Sequence, residues 1–150
     1  MSIRIATKQD AHDLAELVGS LSHYYLEDPN RPLPEWFLSS IQPGSFESRL
    51  QSPDYLNLVY EEADEIKGYI AIKAASHLYH LFVSEELHGK GIAKQLWQQA
   101  KSMQPKSQSY ALRSSLYAVP VYLKFGFTKS GPVGVKDGIS FQPMTLGTKS

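Results

Sequence analysis

Residues 78–93 read LYHLFVSEELHGKGIA, and the rest of the chain is organised around this stretch. It begins with an apolar run that predicts a strand ending at Val83. A short polar loop follows, then Gly89 and Gly91, and then an amphipathic pattern that begins at Ile92. A helix that starts directly after glycines offers free backbone N–H groups and the positive end of its dipole, so a phosphate or pyrophosphate is the natural ligand. Taken alone, the pattern also fits a tight turn before a helix.

Two common nucleotide-binding motifs do not fit this stretch. A dinucleotide-binding fingerprint needs a third glycine and a surrounding parallel βαβ unit, and the sequence predicts neither. A P-loop needs Gly-Lys-Ser/Thr four residues after a first glycine, and this spacing is also absent. The glycines are therefore interpreted as an anion site of another kind.

Length and composition favour a single domain over residues 1–150. The chain is 42% hydrophobic and 20% charged, which is ordinary for a folded protein. Fifteen Lys and Arg balance fifteen Asp and Glu, so nucleic acid is not an expected partner. Cysteine is absent, which excludes disulfides, thiolate metal sites and cysteine nucleophiles, and the histidines have no companions that predict a metal site. No signal peptide or membrane span is recognisable, so we expect a cytoplasmic protein.

Hydrophobic periodicity predicts a mixed α/β fold with helices packed over a largely antiparallel sheet. Three closely spaced strand-like runs in the middle of the chain indicate an antiparallel meander, and prolines at 29, 32, 34 and 43 exclude a long helix before it. The predicted order is strand 3–6, helix from 11 toward 26, short helix 46–50, strands 55–60, 66–74 and 77–83, helix 92–103, strand 110–113, helix 115–125, and strands near 127 and at 139–146.

Two motifs together resemble those of the GCN5-related N-acetyltransferase (GNAT) superfamily. Residues 88–93, HGKGIA, resemble the acyl-CoA signature Arg/Gln-x-x-Gly-x-Gly/Ala, and residues 115–127, SLYAVPVYLKFGF, resemble the second motif, Ala…Tyr-x-x-x-Gly-Phe. Their order and separation match the family, as does the order of elements from Ile3 to Leu146. The resemblance implies a twisted, largely antiparallel sheet of about seven strands flanked by about four helices, with strands 4 and 5 splayed.

The resemblance also implies that acetyl-CoA is the cofactor, with its pantetheine arm between the splayed strands. Main-chain groups of Leu81 and Val83 would bond the arm, and the Val83 N–H would polarise the thioester carbonyl. His88 departs from the usual Arg or Gln, and Arg113 stands where related sequences often carry Asn. The residues implied to bind the cofactor are Leu81, Phe82, Val83, His88, Gly89, Lys90, Gly91, Ile92, Ala93, Ser115 and Tyr122.

Acetyl transfer to an amine needs a base and an acid. Tyr122 is the candidate acid, because a phenol of pKa about 10 can donate its proton to a departing thiolate; the alternative is a tyrosine that only fills the core. His77 is the candidate base, because strand alternation groups it with Tyr79 and Leu81, and the same offset carries a catalytic Glu or His in related acetyltransferases. His77 could also simply begin the strand. His80 is expected on the opposite face as a structural histidine.

The acceptor site is expected in the aromatic, proline-rich segment 24–37, together with Tyr79. Tyr25 and Glu27 are its candidate binding residues, because an aromatic wall with carboxylates suits a cationic amine. The alternative is that these acids are solvated loop charges.

The function predicted is transfer of an acetyl group from acetyl-CoA to a primary amine of a small molecule or peptide. Without cysteine, direct attack in a ternary complex is expected. One alternative is a non-catalytic acyl-CoA-binding or regulatory module of the same fold, and another is transfer of a longer acyl group. A homodimer through the C-terminal strands is compatible with the sequence.

Overall fold

The computed structural model describes residues 2–21, 34–74, 76–104, 109–136 and 139–147. Within these ranges the chain forms one sheet of eight strands and five α-helices. The strands are β1 (Ser2–Ile5), β2 (Tyr55–Glu62), β3 (Glu65–Lys73), β4 (His77–Val83), β5 (Ser109–Ser115), β6 (Thr128–Lys129), β7 (Gly134–Lys136) and β8 (Ile139–Gly147). The helices are α1 (Ala11–Leu21), α2 (Glu35–Ser40), α3 (Pro43–Gln51), α4 (Ile92–Ser102) and α5 (Val119–Lys124).

The mixed α/β fold with a largely antiparallel sheet is confirmed. The strand order is β1-β2-β3-β4-β5-β8-β6, with β7 also paired to β8, and only β4 and β5 run parallel to each other. The sheet has one strand more than expected, because the short β7 pairs with the start of β8. The extra helix, α2, begins directly after Pro34, and α3 begins at Pro43. Pro34 and Pro43 thus start short helices.

The N-terminal strand is tied to α1 through a capping pair formed by Thr7 and Asp10. The Thr7 backbone N–H donates to the Asp10 carboxylate at 2.8 Å, and a 3-10 turn over Lys8–Asp10 leads into α1. The Arg4 guanidinium donates to Asp10 at 2.9 Å and to Glu61 on β2 at 3.0 Å. The hydrogen bond from Arg4 lowers the pKa of Asp10. Strand β1, helix α1 and strand β2 are therefore held together by one charged network.

The two faces of the sheet carry separate cores. Helix α4 packs on one face and helices α1 and α3 pack on the other. Gly68 on β3 lets α4 approach closely, because a Cβ there would lie 3.1 Å from Leu96 Cδ1 and 3.2 Å from Tyr60 Cβ. This close approach fixes the start of α4 beside the end of β4.

Strand β4 contains a bulge that the sequence did not indicate. Ala71 on β3 lies opposite His80, whereas its neighbour Ile72 lies opposite Leu78, so that Tyr79 is an extra residue in β4. The bulge interrupts the alternation of side chains. Leu78, together with Val83, is buried in the core beneath α4, and Leu81 packs against the same core.

The predicted common face of His77, Tyr79 and Leu81 is therefore wrong. The ring of His77 lies 6.1 Å from that of Tyr79. Tyr79 in turn contacts Arg49, a residue of α3, which packs on the face of the sheet opposite α4. The extra residue at the bulge moves His77 and Tyr79 off the face of Leu81.

His80 is enclosed by aromatic rings, as expected of a structural histidine. The rings of Phe46, Tyr69 and Tyr79 lie 4.6–5.8 Å from it, measured between centroids. Its Nε2 atom is buried without a hydrogen-bond partner. Burial, together with the nearby charge of Arg49, lowers the pKa of His80 to about 3. The folded protein therefore holds this imidazole neutral.

We expect His80 to make the protein less stable as the pH falls. The unfolded chain binds a proton at His80 below pH about 6.5 and the folded chain does not, so the free energy of unfolding should fall by about 2 kcal/mol between pH 7 and pH 5. Denaturant unfolding of the wild type and of His80→Phe at both pH values measures this loss. The variant should lose about 2 kcal/mol less, and equal losses in the two proteins would contradict the assignment.

Candidate active site

A cleft of about 550 Å³ opens between β4 and β5 and is closed at its sides by α4 and α5. It exists because β4 pairs with β5 at one position only, His77 opposite Ala111. Beyond this pair the strands diverge, and the cleft occupies the gap. Among the predicted site residues, those on its wall are Tyr79, Leu81, Phe82, Val83, His88, Gly89, Gly91, Ile92, Ala93, Ser115 and Tyr122.

The other predicted residues are placed differently. Lys90 and His77 are not among the described residues that line the cleft. Tyr25 and Glu27 lie outside the described residues. The wall also includes residues that the sequence did not single out, such as Tyr117, Val121 and Leu21. Tyr117 and Val121 are four residues apart in the second motif, a spacing that indicates a shared face, whereas only the tertiary fold brings Leu21 to the cleft.

The backbone of β4 presents free polar groups to the cleft. The Ser84 N–H donates to the Lys67 carbonyl on β3 at 2.8 Å. Backbone groups point alternately to the two sides of a strand, so the Phe82 N–H faces β3 and those of Leu81 and Val83 face the gap. An extended ligand in the gap can therefore bond to β4 as a further strand does.

The loop between β4 and α4 depends on its two glycines. Gly89 and Gly91 have φ of 80° and 81°, left-handed values that glycine adopts without strain. A Cβ built on either residue meets no atom within 4 Å, so both glycines border open space. Gly91 is also the N-cap of α4. Bare backbone, a helix N-terminus and open space together form an anion seat that fits a pyrophosphate.

The side chain of His88 holds this loop against the end of β4. Its Nε2 lies 2.7 Å from the Val83 carbonyl oxygen, which can only accept, so Nε2 carries the proton and donates. The usual Arg or Gln at this position is thus replaced by a residue whose ring bonds to the protein itself. The seat consequently depends mainly on the backbone.

Tyr122 and Ser115 form the wall opposite β4. Tyr122 on α5 is buried, and its ring packs edge-on against Phe125 at 6.0 Å and Phe127 at 5.8 Å. Burial raises the pKa of Tyr122 well above 10, so its hydroxyl keeps its proton at neutral pH. Ser115 ends β5, and its Oγ accepts from the Ala118 N–H at 3.2 Å, which starts the turn into α5.

The end of the cleft nearest the β4–β5 pair is electropositive. His77 is half-buried there, and its pKa is lowered by burial first and then by the charges of Arg113 and Lys73. Charged side chains on the described wall are Lys94, Arg113 and Lys124, and none of the described lining residues is Asp or Glu. Tyr25 and Glu27, the residues predicted to form an aromatic wall with carboxylates, lie outside the described residues, so that wall stays a prediction.

Within the described residue ranges no group of three or more His, Asp and Glu side chains is arranged to hold a metal ion. No helix in the same ranges is both long and apolar enough to cross a membrane.

Known structures share this fold over nearly the whole chain. The PaiA N-acetyltransferase of Thermoplasma acidophilum, solved with coenzyme A, is 21% identical and superposes with a TM-score of 0.77, covering 97% of this chain and 98% of the other. An aminoglycoside 6'-N-acetyltransferase complexed with coenzyme A is 14% identical, with a TM-score of 0.73 and coverage of 100% and 98%. The ribosomal-protein-S18-alanine N-acetyltransferase of Escherichia coli is 15% identical, with a TM-score of 0.72 and coverage of 99% and 94%.

At these identities the structural likeness establishes the fold and not the acceptor. No curated protein sequence matches the chain significantly. The sequence itself matches the family described as acetyltransferase (GNAT) domain over residues 18–148, which is most of its length. The chain therefore belongs to the GNAT acetyltransferase family.

Proposed function

We propose that this protein transfers the acetyl group of acetyl-CoA to a primary amine of a small molecule or peptide. The observation that carries the proposal is the cleft between β4 and β5, with unpaired backbone groups along one wall and a glycine seat at one end. Structures of the same fold have been solved with coenzyme A. The acceptor named for each of those proteins belongs to that protein alone.

The shape of the seat is what fits coenzyme A. The backbone N–H groups of Gly89 and of residues 91–93 would hold the pyrophosphate, because both glycines leave open the space that a Cβ would occupy. The Lys90 N–H donates instead to the Leu87 carbonyl at 3.2 Å. The N–H groups of Leu81 and Val83 would bond the pantetheine arm. Acetyl-CoA, when bound, supplies an acetyl group activated as a thioester. A thioester carbonyl placed near Val83 would be polarised by its N–H.

The cleft also connects the two faces of the sheet. Val83 and Ile92 belong to the core under α4, whereas Phe82 and Leu21 belong to the core under α1, and all four line the cleft. This arrangement supports entry of the acetyl donor from one face and of the amine from the other. Because the chain has no cysteine to carry an acyl group, we propose direct attack by the amine.

Tyr122 is proposed as the acid that protonates the departing thiolate. Its support is its place on the wall and its burial, which keeps the hydroxyl protonated. His77 is proposed as the base. Its lowered pKa keeps the imidazole neutral at pH 7, and since it is not on the described wall it would accept the amine proton through water. Tyr79, which contacts His77 and lines the cleft, is proposed to contact the acceptor.

Gly91→Ala should weaken coenzyme A binding by at least about tenfold, because the new Cβ enters the space that the pyrophosphate approaches. The control is Gly126→Ala, since Gly126 also has a positive φ, 99°, but does not line the cleft. Both variants should lose about 1–2 kcal/mol of stability from backbone strain. Calorimetry measures the affinities, and an equal loss of affinity in both variants would refute the seat.

Tyr122→Phe should lower kcat for acetyl transfer by about a hundredfold or more while leaving the affinity for acetyl-CoA nearly unchanged. Release of free thiol across an amine panel measures the rates. The matched control is Tyr117→Phe, because Tyr117 lines the same cleft and is 57% exposed. Full activity in Tyr122→Phe would eliminate Tyr122 as the acid. Tight binding without turnover of any amine by the wild type would favour a non-catalytic acyl-CoA-binding module.

The base assignment predicts a pH dependence. Activity should fall as His77 gains a proton, and its lowered pKa places this fall below pH 6.5. In His77→Ala the rate at pH 7 should drop by about tenfold or more and the acid limb of kcat/KM should disappear. The pH profile of both proteins decides the point, and an unchanged acid limb in the variant would rule His77 out.

Homodimerisation and a cytoplasmic location stay predictions.

A further inference from the structure

The side chain of Arg113 lies on the face of the sheet that carries α1, which is the side of the cleft proposed for entry of the amine. Along β5, Tyr110 and Leu112 are buried in the core under α4. Since side chains alternate along a strand, Arg113 points to the opposite face. The part of the wall on that face includes Phe82, which belongs to the core under α1. Arg113 and Phe82 therefore border the cleft where the acceptor would enter.

Arg113 carries a charge that no described carboxylate neutralises. Its side chain is exposed to the cleft, and its guanidinium lies 5.0 Å from the centre of the Phe141 ring. Among the described residues no Asp or Glu forms an ion pair with it. A guanidinium supported on an aromatic ring presents its donors in a fixed plane, which suits bidentate recognition of a carboxylate.

Other cations surround the same end of the cleft. Lys73 adds its charge to that of Arg113 at His77. Arg49 lies behind Tyr79, with its guanidinium 5.4 Å from the Tyr79 ring; its side chain is buried and its Nε has no hydrogen-bond partner. The described wall contains no Asp or Glu. An acceptor with several positive charges would be repelled here, whereas one with a negative group would be attracted.

The phosphates of coenzyme A do not account for this charge. Their proposed seat lies beyond Val83. Arg113 is two residues past Ala111, and because β4 and β5 run parallel this places it level with Tyr79 on β4. The four residue steps from Tyr79 to Val83 separate it from the end of β4 by about 13 Å. The lysines on the described wall lie on the two helices beside the cleft. Lys94 is on α4, whose N-terminus borders the seat, and Lys124 is on α5, which carries Tyr122.

We propose that the acceptor amine carries a carboxylate, as a free amino acid does, and that Arg113 binds this carboxylate. This inference rests on the proposed acetyl transfer but is tested separately from it. It names Arg113 as a specificity-determining residue. It also separates the expected acceptor from polyamines and aminoglycosides, whose charges are all positive.

The first test compares L-amino acids with their own carboxamides as acceptors, measured by thiol release from acetyl-CoA. Each pair shares its amine and differs in the carboxylate. The ratio of kcat/KM, acid over amide, should be about 10 to 100 in the wild type, the effect expected of a hydrogen-bonded charge pair. Arg113→Met, which keeps an apolar side chain over Phe141, should reduce the ratio to about 1, and Arg113→Lys should restore part of it.

The second test does not need turnover. Calorimetry of the protein saturated with coenzyme A should detect binding of at least one L-amino acid at least about tenfold tighter than of its amide, and Arg113→Met should abolish the difference. If the wild type binds or acetylates acid and amide equally, or prefers spermidine, the inference is overturned. If the acid binds through Arg113 but no amine is acetylated, the proposed acetyl transfer fails and the anion site stands.

A third arm distinguishes a carboxylate on the acceptor from one on the acyl group. Thiol release is compared for acetyl-CoA and succinyl-CoA with the same acceptors. Our assignment predicts no preference for succinyl-CoA that depends on Arg113. An Arg113-dependent preference for succinyl-CoA, with acid and amide acceptors used equally, would move the carboxylate to the acyl donor and refute the assignment to the acceptor.

Discussion

The site depends on one break in backbone pairing, where β4 leaves β5 after a single pair at His77 and Ala111. Elsewhere in the sheet, β4 is fully paired with β3 apart from the bulge at Tyr79. The N–H groups of Leu81 and Val83 and the C=O group of Leu81 consequently face a gap where a neighbouring strand would otherwise lie, whereas the Val83 C=O accepts from His88. Unpaired backbone groups are costly when they are excluded from water, so a ligand that supplies the missing hydrogen bonds is stabilised there.

Three features keep this gap open and shaped. Gly68 lets α4 pack directly on β3, which brings the helix N-terminus to the end of β4. The loop between them is bound to Val83 by His88 and turns at two glycines whose conformation other residues adopt only with strain. On the far wall, Tyr122 packs edge-on against Phe125 and Phe127. The main-chain seat and the buried phenol of Tyr122 therefore both border the cleft.

Much of this was predictable from the sequence, because it is encoded in local patterns. The glycine spacing and the second motif indicated the seat, Tyr122 and the family, and periodicity indicated the order of the main elements. The bulge at Tyr79 was not predictable, because aromatic and apolar residues occupy both faces of β4 and alternation gives no signal of an insertion. The charge around Arg113 was not predictable either, since which charged side chains meet on the described part of the wall is a property of the tertiary fold. Helix α2 was missed because prolines were interpreted only as helix breakers.

The proposed binding mode requires that the backbone of β4 binds coenzyme A in the manner of a missing strand. Amide hydrogen exchange, followed residue by residue by NMR with and without saturating acetyl-CoA, measures this bonding. Exchange should slow at Leu81 and Val83, whose N–H groups face the gap, and should change little at Phe82, whose N–H is already bonded to β3. If acetyl-CoA binds and leaves the exchange of Leu81 and Val83 unchanged, the ligand does not bond to this strand and the proposed binding mode is wrong.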